Sequence, residues 1–212
     1  MSLKVIPVGP LQMKCSVLID EKTGESAVID PGAEPEKILS QLEGTNPKFM
    51  LATHGHIDHV GQVKELKERL KIPFLMHRAD LFLINDPLWA GFDRYIGASL
   101  PCPEPDDFLE DGQVIQVGSQ KLKVIHTPGH TPGHCCFFQE EEKILVAGDL
   151  LFRGSVGRWD LPGGNLQELR SSLLRIISEI PEDTQVVCGH GEGTTIGREK
   201  RFNPLLREII SG

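Results

Sequence analysis

The sequence predicts an α/β (α+β) protein in which two mixed β-sheets pack face to face with helices on the outside. Three observations lead there. Paired short apolar runs precede strand–helix alternation, and the two halves of the chain repeat that order. The conspicuous histidines and carboxylates each follow a predicted strand, as they do where loops gather along one edge of the sheets. The 212 residues, 39% of them hydrophobic, can bury a sizeable core and suit one domain over residues 1–212.

Residues 3–8 and 15–19 are apolar runs; after the turn Glu21-Lys22-Thr23-Gly24, residues 26–29 pair back, so the chain opens antiparallel. Asp30-Pro31-Gly32 ends that strand. Pro35–Leu42 carries Ile38, Leu39 and Leu42 at helical spacing and stops near Gly44. Phe49-Met50-Leu51-Ala52 is a buried strand. Residues 60–70 set Val63, Leu66 and Leu70 on one stripe with Lys64, Glu65, Lys67 and Glu68 outside, an amphipathic helix whose stripe is core. Residues 73–76 form a strand and 78–84 a short helix. Residues 85–107 hold Trp89, Phe92 and Tyr95 among several prolines and glycines, and read either as a lid or as a satellite hydrophobic cluster. Hairpins follow at 113–117 with 122–125 and at 135–138 with 143–147. A helix at 167–180, a strand at Gln185–Cys188 and a helix at 203–210 close the chain.

Net charge is −8, which argues against nucleic acid, a ligand held largely by Lys and Arg. A small anionic substrate needs only a local positive patch or a metal. The apolar runs are too short and interrupted to span a membrane, so no membrane partner is expected. The first eight residues read as a strand rather than a secretory signal, and a cytoplasmic setting is the expectation. The five cysteines include no C-x-x-C pair and are expected to be reduced and mostly buried, with Cys135 and Cys136 on opposite faces of a strand.

The chemistry concentrates in Thr53-His54-Gly55-His56-Ile57-Asp58-His59. Packing does not ask for that density of imidazole and carboxylate, whereas a metal does; Zn²⁺, Fe²⁺ and Mn²⁺ share these donors. His54 and His56, two apart, point the same way in an extended segment. Asp58 and His59 lie where a turn or helix start swings them toward a neighbouring centre. Further on, His130 stands in Thr127-Pro128-Gly129-His130-Thr131-Pro132-Gly133-His134, Asp149 leaves a strand, and His190 lies between Gly189 and Gly191. Such groups are costly unless paired or ligated. Asp30, His126 and His134 are expected to orient ligands through hydrogen bonds. Arg153 and Arg158 either meet a substrate carboxylate or pair with local acids such as Asp160.

Taken together, these motifs make the sequence resemble the metallo-β-lactamase superfamily, and within it the hydroxyacylglutathione hydrolase (glyoxalase II) type. THGHIDH at 53–59, TPGHTPGH at 127–134, Gly148-Asp149 and Gly189-His190-Gly191 run in that family's order over nearly the whole chain. The resemblance implies the αββα sandwich of the metallo-β-lactamase fold. It implies two divalent metal ions, with Zn²⁺ the first expectation and Fe or Mn also suited. His54, His56 and His130 would bind one, Asp58, His59 and His190 the other, and Asp149 would bridge them. Asp149 stands where the commonest β-lactamase subclass has Cys, which points away from antibiotic hydrolysis. The run from Phe152 to Gly164 is similar to the short bacterial glyoxalase II-like group, which lacks the C-terminal helical domain that helps hold glutathione in eukaryotic enzymes. The expected reaction is cleavage of a small-molecule thioester such as S-D-lactoylglutathione by a hydroxide shared between the ions, with Asp58 as ligand and proton acceptor. A mononuclear iron persulfide dioxygenase, using His54, His130 and Asp149, is the alternative. A metal-dependent ribonuclease stands behind it, disfavoured by the charge.

Overall fold

The computed structural model describes residues 1–211 and consists of two mixed sheets flanked by helices, the expected sandwich. The first sheet begins as an antiparallel meander, β1 (Ser2–Val8), β2 (Met13–Ile19) and β3 (Glu25–Ile29). Helix α1 (Pro35–Leu42) then carries the chain to β4 (Asn46–Leu51), parallel to β3. Two short helices follow, α2 (Ile57–Val60) and α3 (Val63–Leu70), and then β5 (Phe74–Met76). After α4 (Phe92–Ile96), β6 (Asp107–Phe108) completes the sheet in the order β1-β2-β3-β4-β5-β6.

The second sheet repeats the plan. Strands β7 (Val114–Val117), β8 (Gln120–His126), β9 (Cys135–Gln139) and β10 (Ile144–Gly148) are antiparallel neighbours. A two-stranded ribbon, β11 (Leu151–Phe152) with β12 (Ser155–Val156), leads into α5 (Leu166–Glu179), whose first turn is capped by Asn165 accepting from Gln167 N–H and Glu168 N–H. Strand β13 (Gln185–Cys188) lies parallel to β10, β14 (Thr194–Thr195) flanks it, and α6 (Ile196–Phe202) and α7 (Pro204–Ser211) close the chain.

Side-chain alternation sorts these strands into layers. Val28 and Met50 face an outer core with Ile38, Val63 and Leu66 of α1 and α3. Ala27, Ile29 and Leu51 face the opposite way, into a core shared with Val124, Cys135 and Phe137 of the second sheet. Cys136 and Phe138 turn outward again, onto Leu169, Leu173 and Ile176 of α5 and Leu206 of α7. Helix, sheet, sheet and helix therefore stack in that order. All five cysteines are free and buried, and Cys135 and Cys136 do face opposite sides. Among the described residues no helix is long and apolar enough to cross a membrane.

Three elements depart from the sequence reading. The helix expected over 60–70 starts at Ile57 and breaks at Gly61-Gln62. The break arises because Gly61 packs against the Gly32 backbone and Gln62 N–H donates to Pro31 O (2.8 Å) rather than continuing the helix. The helix expected over 78–84 is one 3-10 turn, Arg78–Asp80. Residues 85–107 contain a 3-10 turn at Pro87–Trp89 and helix α4.

Candidate metal centre

The donors sit at the C-terminal ends of strands, along one edge of both sheets. Asp30, just past β3, takes a left-handed backbone conformation (φ 57°), uncommon for a residue with a Cβ. Its buried carboxylate offsets that cost by accepting from Thr53 N–H (2.7 Å), Thr53 Oγ1–H (2.8 Å) and His59 Nδ1–H (3.0 Å). One side chain thus fixes both the exit of β4 and a histidine in the first turn of α2.

The hydrogen bonds assign His54 and His130 their tautomers. The Thr53 hydroxyl proton goes to Asp30, so Thr53 Oγ1 accepts from His54 Nδ1–H (3.0 Å) and leaves His54 Nε2 bare. His130 Nδ1–H donates to Arg158 O (2.7 Å), which leaves His130 Nε2 bare. Both bare nitrogens point at His56 Nδ1, from 3.0 and 3.1 Å. Three imidazole nitrogens at that spacing suit one ion with Zn–N bonds of about 2.0–2.1 Å, which places neighbouring donors roughly 3.3 Å apart. Burial, then the neighbouring imidazoles, pushes His54 well below the usual histidine range; burial and His130 bring His56 down to about 3. Both are therefore neutral at pH 7, the form that ligates.

Asp58, His59 and His190 make a second group, with His190 Nε2 3.2 Å from Asp58 Oδ2. Asp149 lies between the groups. Its Oδ1 is 3.5 Å from His59 Nε2, and its Oδ2 is 3.7 Å from both His130 Nε2 and His190 Nε2. These separations are too long for good hydrogen bonds. His59 Nε2 and Asp149 Oδ1 are buried with no hydrogen-bond partner, the signature of groups that want a cation. Burial opposes charge on His59, but Asp30, Asp149 and Asp58 outweigh it and raise its pKa well above the usual value. Burial alone would also raise Asp58 and Asp149; His59 and the other imidazoles instead hold both carboxyls low. A metal ion would supply the positive charge that the facing carboxylates Asp58 and Asp149 call for. The residues present fit a pair of divalent cations sharing Asp149.

Close glycine packing makes this convergence possible. A Cβ on Gly189 would overlap Asp149 Oδ1, and one on Gly157 would overlap the Asp149 carbonyl oxygen. His134 accepts from Asp149 N–H (3.2 Å) and is anchored by Thr127 Oγ1 (2.8 Å), so it orients Asp149 through the backbone. His126 acts one step further out: it donates to Pro132 O (2.8 Å), bracing the His130 loop, and stacks on His77.

The sequence reading missed Asp80. This fully buried carboxylate accepts from Gly55 N–H (2.9 Å), Thr131 Oγ1–H (2.7 Å) and Gly133 N–H (2.5 Å), tying the His54–His56 segment to the His130 loop. Burial raises its pKa, against the pull of those three bonds. Its only sequence signal was an acid shortly after a strand. His56, Asp58, His130, Asp149 and His190 floor a cleft of about 450 Å³ whose wall includes Trp89, Phe92, Phe152 and Leu161. Arg153 does not line it; it is ion-paired with Glu192, the second of the two roles expected of it, pairing with a local acid. Arg158 does line the cleft, with its guanidinium forked onto Asp160 (2.7 and 2.8 Å).

The profile of the metallo-beta-lactamase superfamily matches residues 10–190, the span that holds every one of these donors. The chain belongs to the metallo-beta-lactamase superfamily. Among relatives of this superfamily member, hydroxyacylglutathione hydrolase GloC of Haemophilus influenzae is 35% identical, over 97% of this chain and 98% of its own. The solved structure of TTHA1623 in a di-iron-bound form is 43% identical with a TM-score of 0.83, over 95% of this chain and 98% of that one. BLEG-1, a B3 metallo-beta-lactamase, is 36% identical with a TM-score of 0.87, over 97% and 99%.

Proposed function

We propose that this superfamily member is a binuclear metal-dependent hydrolase that cleaves a small-molecule thioester, of the hydroxyacylglutathione hydrolase type. The observation that carries the reading is the pair of donor groups meeting at Asp149 on the floor of a cleft. The 35% identity to GloC supports the substrate class. His54, His56 and His130 would hold one ion, Asp58, His59 and His190 the other, with Asp149 between them; Zn²⁺, iron or manganese suits these donors. A bound pair polarises a carbonyl and lowers the pKa of a water to about 7.

The chain's own residues do the rest. Asp58 faces the cleft and is held ionised, so it can take a proton from water at the floor. Hydrolysis forms one C–O bond, breaks the C–S bond, and yields a carboxylate, a thiol and a proton. A thiol with pKa about 8.5 leaves as thiolate, so no separate acid is required. Among the described residues lining the cleft, the carboxyl groups are the donors Asp58 and Asp149.

The identity to BLEG-1 favours a second reading, β-lactam hydrolysis at the same centre. A thiolate leaves without a proton, whereas an amine leaves only when protonated, which ranks the thioester first. The test is turnover of S-D-lactoylglutathione and of a β-lactam by metal-loaded and chelated protein, with elemental analysis. Thioester turnover that disappears with chelator, and metal content and rate that fall together in His190→Ala, is the expected result. Full turnover in chelated protein, or faster β-lactam cleavage, overturns it.

A further inference from the structure

The wall of the cleft differs in character from its floor. Trp89 lies edge-on to His56 of the first donor group (ring centroids 5.3 Å), and Phe92 packs beside Trp89 (6.3 Å). Phe152 stands against His190 of the second group (6.4 Å). Leu11, Val156 and Leu161 extend this apolar wall, with Ser155 and Arg158 as its polar members. An aromatic therefore flanks each donor group, and whatever lies on either side of a bond cleaved at Asp149 meets a hydrocarbon surface.

Fixed positive charge is scarce there. Among the described residues lining the cleft, Arg158 alone carries it, and Asp160 takes the Nε–Nη2 edge of its guanidinium. Arg153 is committed to Glu192 outside the cleft. A glutathione carrier brings two carboxylates, which a protein recognises with unengaged cations, best with arginine forks. The cleft presents a single arginine, already paired with an acid.

We infer that this site selects thioesters by the apolarity of the groups flanking the C(=O)–S bond, and that its preferred substrate class is an uncharged, apolar acyl thioester rather than a glutathione conjugate. The inference rests on the thioesterase reading above. Arg158 is the one group that could reverse it. Its pair with Asp160 is exposed on both sides, and such pairs break at little cost, so a substrate carboxylate could recruit the guanidinium. Salt reports on that directly, because a solvent-exposed charge contact weakens as ionic strength rises.

The experiment compares two probes on the metal-loaded enzyme: S-D-lactoylglutathione and the hexanoyl thioester of N-acetylcysteamine, which is uncharged on both sides. The expected result is a kcat/KM at least about tenfold higher for the hexanoyl thioester, the scale on which small apolar differences discriminate. KM for lactoylglutathione should stay constant between about 20 mM and about 500 mM NaCl. Phe92→Ala and Phe152→Ala should each shrink the preference ratio by about tenfold. If lactoylglutathione is the better substrate and its KM climbs with salt, the apolar selection is wrong while the thioesterase reading stands. If neither probe turns over, both fall. The wild-type comparison decides the matter even where a Phe variant fails to fold.

Discussion

Asp30 and Asp80 touch no cleft, yet each holds one half of the donor array, and their removal should read out differently. Asp30 accepts three hydrogen bonds, one from His59 of the second group. Asp80 accepts three from the segments that carry His54, His56 and His130. Taking either carboxylate away strands buried donors at about 1–3 kcal/mol each, and breaking a buried charged network costs about 3–5 kcal/mol. Asp30→Ala should therefore destabilise the protein in urea titrations by a few kcal/mol and lower its metal content mainly at the second group. Asp80→Asn presents an amide N–H where backbone and Thr131 donors point, and should weaken the first group instead. Site-selective metal loading followed by elemental analysis separates the two. If both variants keep two equivalents and wild-type urea midpoints, these residues are bystanders.

At the opposite end of the sandwich, the turn between β2 and β3 meets the turn between β7 and β8 through one carboxylate. Asp20 accepts from Ser119 N–H (2.7 Å), Ser119 Oγ–H (3.0 Å) and Thr23 Oγ1–H (2.8 Å). The Ser119 backbone bond is the largest influence holding its carboxyl below the usual range, with the two hydroxyls adding to it against burial. A depressed carboxylate contributes its stability above the unfolded pKa, about 4, and loses it as pH falls toward the folded value. Wild-type protein should thus lose more Tm between about pH 5 and pH 2 than Asp20→Ala, which starts several degrees lower and keeps its metal content; parallel acid slopes would refute the staple. Elements of this kind show how far the sequence could be read. Alternation and helical spacing located Pro35–Leu42 and Gln185–Cys188 to the residue, because their apolar positions follow one period. The pair β11 and β12 has two residues per strand, too few to show a period, and α6 hides behind Gly197 and three cationic residues. Histidine density disclosed the cluster at 53–59, and the motif resemblance added His130, Asp149 and His190, which the fold brings to the same place. Asp80 stayed invisible because a single buried acid in a turn looks like a surface acid until the fold encloses it.

Across the whole molecule, the donors divide between the two sheets. His54, His56, Asp58 and His59 follow β4 of the first, whereas His130, Asp149 and His190 follow β8, β10 and β13 of the second. Direct backbone bonds already stitch the halves at this edge, Cys135 N–H to Thr53 O (2.7 Å) and Lys14 N–H to Gly189 O (2.8 Å). Metal ions held from both sides would add a cross-link in the folded state that the unfolded chain cannot offer. Binding to the native state alone stabilises by about 2.7 kcal/mol when free ligand is a hundredfold above Kd. Chelation should therefore lower Tm by several degrees, and titrating Zn²⁺ back should restore it in two equivalents. Because the cross-link spans the sandwich, hydrogen exchange should slow on loading both at residues 53–59 and at residues 127–134 and 189–190. Protection confined to one of those regions would mean that the ions serve one sheet only and that Asp149 does not join the two groups.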